Sequence, residues 1–380
     1  MLESHAEIDN GGPRMKQIKV LALASYPVEA AATRFRLQQF VEPLARRGIT
    51  LTIVPFLDSK RFANLYSRKF LLATVFGLAT SALRRLADLR FARKADVVLI
   101  QREAMIVGPP VVEWIATRVL KRPMVLDLDD ATYVPYTSPT YGGLTKALKF
   151  FRKTDDLIRW SRVVICGNQT VAEYVSSKGA RAEIIPTVVD TDKFKPAESR
   201  NRSIPVVGWV GTHSTFPFMQ SILPALAEVA KTRPFKLKIV GSGRASVPVP
   251  GVEVENLEWD LEREVEDFQS LDVGLYPVNP DNNWATGKSG FKAIEYMAAG
   301  VPYVASPVGA AAQLGEEGVT HLFATTQEEW AEKVRTLLDD AERRQRMGAA
   351  GRRHAVELYH LETQAEKLAR VLRDAAAERG

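Results

Sequence analysis

The sequence predicts an α/β protein made of two Rossmann-like doubly wound parallel-sheet domains facing across a cleft. Three observations carry that prediction. Short continuous apolar runs alternate with longer amphipathic stretches along most of the 380 residues, as βαβ crossovers on a sheet covered on both faces require. The alternation runs twice, in two series divided by a polar segment at 195–203. The length also suits two domains, at about one per 150 residues.

Residues 1–15 are polar, contain Gly and Pro and have no apolar core, so they read as a disordered leader rather than a signal peptide. A first domain is expected over 16–194. Its strands are read at Ile18–Ala24, Thr50–Pro55, Val97–Gln101, Met124–Leu128, Val163–Cys166 and Ala182–Pro186. The first is apolar but for Lys19 and is stopped by Ser25-Tyr26-Pro27, as in a strand buried on both faces. Helices are predicted at Thr33–Arg47, closed by Gly48, at Val111–Leu120 and at Thr170–Ser177. After the linker at 195–203, a second domain over 204–355 repeats the scheme. Its strands are read at Pro205–Val210, Lys236–Val240, Val252–Asn256, Val273–Tyr276 and Pro302–Ala305. Helices at Pro217–Lys231, Leu261–Gln269 and Ser289–Ala299 fill the gaps, and a helical tail begins near Gln327. Its last part, 356–380, is expected to pack back toward the first domain.

Composition excludes several classes. The chain is 46% hydrophobic and 25% charged, enough to bury ordinary cores. A net charge of +6 is moderate and favours anionic partners such as nucleotide phosphates or an acidic membrane surface. No nucleic-acid-binding signature accompanies it, so no nucleic acid is expected as partner. Cys166 is the single cysteine, which rules out an internal disulfide and a cysteine-ligated metal and fits a reducing, cytoplasmic setting. No run reaches the 18 or so apolar residues of a spanning helix.

The segment from Leu275 to Gly309 says most about chemistry. A strand ends in a loop containing Trp284, Gly287, Lys288 and Gly290, and a helix then starts near Ser289 and closes at Gly300. A helix N-terminus after a Gly-containing loop offers free N–H groups and a positive dipole end, which suits a phosphate. Lys288 and Lys292 add charge there, and Glu295 can accept from sugar hydroxyls. Gly290, Phe291, Glu295, Met297, Ala298, Gly300, Pro302 and Val304, followed by Ser306-Pro307-Val308-Gly309, resemble the donor segment of glycosyltransferase family 4, whose members have the two-domain GT-B fold. One position departs: the family's E-x7-E pair would need an acid at 287, where this chain has glycine. A plain βαβ crossover with Glu295 solvated is the bland alternative.

Other stretches acquire roles through the same resemblance, which covers Lys19 to Leu372. Gly211, Thr212, His213 and Ser214, after the first strand of the second domain, would lie against the donor diphosphate. The Arg and Lys that the family often has there are missing, so Lys288 and Lys292 would supply the charge. Otherwise this is a strand-to-helix turn capped by Ser214 or Thr215. Gly241 and Gly243 would form the turn near the nucleotide, since a lone Gly-x-Gly is weak support for a dinucleotide site. Asp129 takes the position of a family histidine facing the reacting sugar. There it could take a proton from the acceptor or stabilise positive charge. The Asp127-x-Asp129 pair could instead be a metal motif, though no nearby His or Glu completes a ligand set, or Asp130 could simply cap a loop. Arg34, Arg36, Arg102, Glu103 and Asp130 are read as donor-phosphate or acceptor contacts, against surface ion pairs. The basic, apolar stretches 62–94 and 146–160 suit an anionic membrane surface, against two core-packed helices with solvated basic faces.

The resemblance implies a retaining glycosyltransferase that moves a sugar from a UDP- or GDP-sugar to a glycan or lipid-linked acceptor. It would need no cofactor and no metal, and would serve cell-envelope polysaccharide or glycolipid synthesis. A sugar-nucleotide epimerase, or a nucleotide-sugar-binding scaffold without turnover, would use the same fold.

Overall fold

The computed structural model describes residues 17–65, 68–135, 142–143, 148–198, 202–279 and 288–378. The leader, parts of the 62–94 and 146–160 stretches, the middle of the linker, and Trp284 and Gly287 lie outside these residues.

The chain makes two six-stranded parallel sheets. The first contains β1 (Ile18–Ala24), β2 (Ile49–Pro55), β3 (Val97–Gln101), β4 (Met124–Leu128), β5 (Val163–Cys166) and β6 (Ala182–Ile184), in the order β2-β1-β3-β4-β5-β6. The second contains β7 (Val206–Val210), β8 (Lys236–Val240), β9 (Glu253–Leu257), β10 (Val273–Tyr276), β11 (Tyr303–Ala305) and β12 (His321–Phe323), in the order β12-β11-β10-β7-β8-β9. Strands β3, β4, β5 and β7 are buried at every position, and apart from Gln101 in β3 and Asp127 in β4 they carry no polar side chain, which is why they read as apolar runs rather than alternating ones. The strand order reverses between β1 and β3 and again between β7 and β10, and ligands of such sheets bind at the carboxyl ends beside the reversal.

Helices cover both faces. In the first half they are α1 (Ala31–Arg36), α2 (Val41–Ala45), α3 (Ser59–Asn64), α4 (Leu71–Ala92), α5 (Val111–Trp114, continued by a π turn at Ile115–Val119), α6 (Lys153–Trp160) and α7 (Gln169–Ser177). In the second they are α8 (Phe216–Ser221), α9 (Leu223–Ala230), α10 (Glu264–Gln269), α11 (Phe291–Ala298), α12 (Gln327–Asp339), α13 (Ala341–Leu358) and α14 (Leu361–Ala377).

Two expected helices are broken, and proline is the reason each time. Pro43 has no N–H for the Gln39 carbonyl, so the stretch 33–47 becomes α1, a 3₁₀ turn at Gln38–Phe40 and α2. Pro224 likewise separates α8 from α9 at Ile222. The tail splits into α12, α13 and α14. Helix α14 does not stay with the second half. Its Glu362 and Glu366 pair with Arg47 at 2.8 Å each, and Leu368, Val371 and Leu372 join a core that includes Val20, Leu99 and Val125 of the first sheet.

Candidate active site

Two loops of the second sheet, after β7 and after β8, interlock beside the reversal. A Cβ on Gly211 would sit 2.1 Å from the Trp209 ring, and one on Gly241 would sit 2.3 Å from the Gly211 carbonyl. A Cβ on Gly243 would meet that of His213 at 2.7 Å. Glycine thus lets the loops touch backbone to backbone. Thr212, His213 and Ser214 are exposed on top of them. Thr215, rather than Ser214, closes the turn: its Oγ1 accepts from the Thr212 N–H at 3.1 Å.

Helix α11 starts from Gly290, which is left-handed with φ +70° and leaves no room for a side chain because Leu314 would lie 2.4 Å away. Two sequence-predicted residues behave differently from expectation. Lys292 does not reach into the helix N-terminus. Its Nζ lies 2.8 Å from Glu295 Oε2 and over the Phe268 ring at 5.2 Å. Glu295 is fully buried, and beyond that ion pair neither of its oxygens accepts a hydrogen bond. Burial pushes its carboxyl up to about 7 against the pull of Lys292. Lys288 sits outside this pair. Burial lowers its ammonium to about 8, with Asp130 opposing.

On the facing side, the carboxyl ends of β3 and β4 hold a tight ionic group. Arg102 is left-handed at φ +61° and donates through Nε to Asp129 Oδ1 at 2.6 Å and through Nη2 to Asp130 Oδ2 at 3.0 Å. Burial favours the neutral acid, but Arg102 wins and holds the Asp129 carboxyl below its ordinary range. That geometry corrects the general-base reading of Asp129, since a clamped, acidified carboxylate is a poor proton acceptor. The Asp-x-Asp pair is not arranged around a cation either. Asp127 binds Arg36 through two bonds, and Asp129 binds Arg102. Among the described residues no group of three or more His, Cys, Asp or Glu is placed to hold a metal.

Arg36 and Glu103 also turn away from the cleft. Arg36 is buried, shared between Asp127 and the Ile185 carbonyl at 2.6 Å. Glu103 pairs with Lys153 at 2.7 Å, and Lys153 donates to the Met105 carbonyl at 2.7 Å. These contacts remove Lys153 from the surface and weaken the membrane reading of 146–160. Arg34 does reach across the molecule. Its Nη2 binds Glu264 Oε1 at 2.7 Å while the guanidinium lies over Trp259 at 5.0 Å.

The halves meet at the α11 start as well. Asp130 Oδ1 accepts from the Ser289 N–H at 3.0 Å, Asn168 Nδ2 lies 3.5 Å from the Lys288 carbonyl, and Phe35 packs on Phe291 at 4.5 Å between ring centres. Burial and the Asp129 charge both raise the Asp130 carboxyl. Sequence reasoning missed Asn168, Trp259 and Glu264. Asn168 left a trace as the cap of α7, where its side chain accepts from the Val171 N–H at 2.9 Å. The other two left none.

Comparison with known proteins gives the same architecture. Residues 204–340 match the family described as glycosyl transferases group 1. A D-inositol 3-phosphate glycosyltransferase of Kineococcus radiotolerans is 29% identical over an alignment taking in 53% of this chain and 54% of that protein. The chain thus spans about half the length of the curated relative it matches. Anabaena HepE, solved in complex with UDP-glucose, superposes with a TM-score of 0.65 at 18% identity, covering 94% of this chain and 100% of that one. Sucrose-phosphate synthase from Thermosynechococcus elongatus gives 0.69 at 15% identity, covering 95% and 100%. At such identities the likeness is one of fold.

Proposed function

We propose, from the match of residues 204–340 to the family described as glycosyl transferases group 1, that the chain is a retaining glycosyltransferase taking its sugar from a nucleoside-diphosphate donor. The acceptor in this reading is a glycan or lipid-linked hydroxyl used in cell-envelope polysaccharide or glycolipid synthesis. UDP is the favoured nucleotide, because the structurally similar HepE was solved with UDP-glucose. One observation carries the proposal. Glu295 is a fully buried carboxyl whose partner is Lys292, 2.8 Å from Oε2, one turn inside a helix whose N-terminus faces the cleft. A buried acceptor of that kind is costly unless hydroxyls complete it, and a nucleotide ribose supplies them once Lys292 swings aside.

The chain's own groups then account for the chemistry. Lys288, the N–H groups at the start of α11 and those of the 211–214 loop stabilise negative charge as the sugar–phosphate bond breaks. With Asp129 clamped by Arg102, the departing phosphate oxygen is the stronger proton acceptor. The acceptor hydroxyl bonds to the anomeric carbon and its proton passes to that oxygen. Arg102 with Asp129 and Asp130 forms the opposite wall, where the acceptor enters.

Thermal stability against UDP, GDP, ADP, dTDP and CMP tests the reading. A nucleotide at ~100 times its dissociation constant stabilises by about 2.7 kcal/mol, and the matching nucleotide-sugar should then turn over only with an acceptor present. No response to any nucleotide would sink the proposal. Interconversion of free nucleotide-sugars would replace it with an epimerase.

A further inference from the structure

Helix α4 is built inside out. Its inner face holds Ser81, Arg85 and Asp88, all buried. Arg85 donates to the carbonyls of Ala24 at 2.8 Å and Val54 at 2.9 Å, at the carboxyl ends of β1 and β2, and lies 3.6 Å from Asp88. Arg61 of α3 adds bonds to Ser81 at 3.2 Å and Thr80 at 3.1 Å. The outer face, at helical spacing, carries Leu72, Val75, Phe76, Leu83 and Leu86, which are 86%, 56%, 72%, 70% and 40% exposed. A helix facing water on one side has the reverse arrangement, and an exposed apolar stripe of this size marks an interaction surface.

Charge selects the occupant. Among the described residues from 69 to 94 every exposed ionisable side chain is cationic: Lys69, Arg84, Arg90, Arg93 and Lys94. The single acid, Asp88, is buried. A second copy of the chain docked on the same face would oppose those cations with its own. An anionic lipid surface would neutralise them while its acyl boundary receives the leucines and Phe76. No helix among the described residues is long and apolar enough to cross a membrane.

We propose that the outer face of α4 lies in the headgroup region of an anionic bilayer, with its apolar side chains at the acyl boundary. The Arg85 bonds then hold the carboxyl edge of the first sheet, and with it the mouth of the cleft, beside the membrane. Helix α5 packs on α4 and adds an exposed Trp114, a residue type that favours the membrane–water boundary. The inference is independent of sugar transfer, because it needs neither nucleotide nor acceptor.

The test is co-sedimentation of the full chain with vesicles of phosphatidylcholine, alone or mixed with phosphatidylglycerol. Binding is expected only with phosphatidylglycerol, weakening as salt rises. The Leu72→Ser/Phe76→Ser/Leu83→Ser variant should lose at least about tenfold in affinity with an unchanged thermal midpoint, since all three residues are exposed. Arg90→Gln/Arg93→Gln should lose roughly fivefold per charge removed. Absence of wild-type binding, or wild-type affinity in the serine variant, overturns the proposal. So does a wild-type dimer in solution that the serine variant dissolves, which would assign the face to a second copy. Nucleotide-induced thermal stabilisation, measured on the same samples, reports separately on the sugar-transfer reading.

Discussion

Glu295 and Lys288 are displaced in opposite senses by the same cause, and each makes a pH-dependent property measurable. Burial lifts the Glu295 carboxyl from 4.5 to about 7, so between those values the folded protein binds protons that the unfolded chain has lost. Stability therefore falls as pH rises through that window, by at most a few kcal/mol at about 1.4 kcal/mol per pKa unit. Glu295→Gln should flatten the decline, as read from denaturation midpoints between pH 4.5 and 7. Lys288, lowered to about 8, loses its charge in the free protein just above neutrality. Nucleoside diphosphate affinity should drop as pH rises past about 8, and calorimetric titration of Lys288→Met should show no such drop. Asp130 supplies a third case. Its carboxylate accepts from the Ser289 N–H, the donor expected to face the diphosphate. Asp130→Asn keeps an acceptor oxygen there but removes the competing charge, so nucleoside diphosphate should bind severalfold tighter, about 1 kcal/mol.

At the level of elements, close packing decides what tolerates change. Helix α13 crosses the end of α11 at two glycines: a Cβ on Gly348 would stand 2.3 Å from the Gly300 carbonyl. Gly348→Ala should push the helices apart at a cost of about 1–3 kcal/mol, and chemical denaturation would show it. The same scale explains what the sequence made legible. Strands such as β5 and β7 announced themselves because residues buried on both faces are apolar there. The α11 segment was legible because a left-handed Gly290, the closing Gly300 and a mostly apolar run of helical length between them are local events. The broken helices contradicted the pattern only through Pro43 and Pro224, whose missing N–H groups are local too. Strand β12 escaped because it has three residues, including the buried His321. The site's second half was not legible. Arg34 with Glu264, and Asp130 with Ser289, pair residues 230 and 159 positions apart, and no periodicity encodes such partners. Arg36 and Glu103 look alike in sequence to cleft-lining residues and differ only in finding Asp127 and Lys153 in the fold.

For the whole molecule, the two sheets are not independent bodies. One core runs from Val20 and Val125 through Phe35 and Phe194 to Tyr296 and Tyr303, and it includes Leu368 and Leu372 of α14. The ion pairs of Arg46 and Arg47 with Glu362 are partly exposed and add little, so the apolar face of α14 does most of the holding. Ending the chain at residue 358 should lower the melting temperature and expose dye-binding apolar surface on the first half. An unchanged melt would show that α14 is dispensable.

That last helix also fixes an order of events during synthesis. Residues 18–184 leave the ribosome first, yet a covering layer of their sheet is encoded at 361–377. At ~5–20 residues per second, translation from the linker to α14 takes on the order of 10–30 s. Through that interval the first-made half must wait with an uncovered apolar face, and it is the half that a late premature stop would damage most.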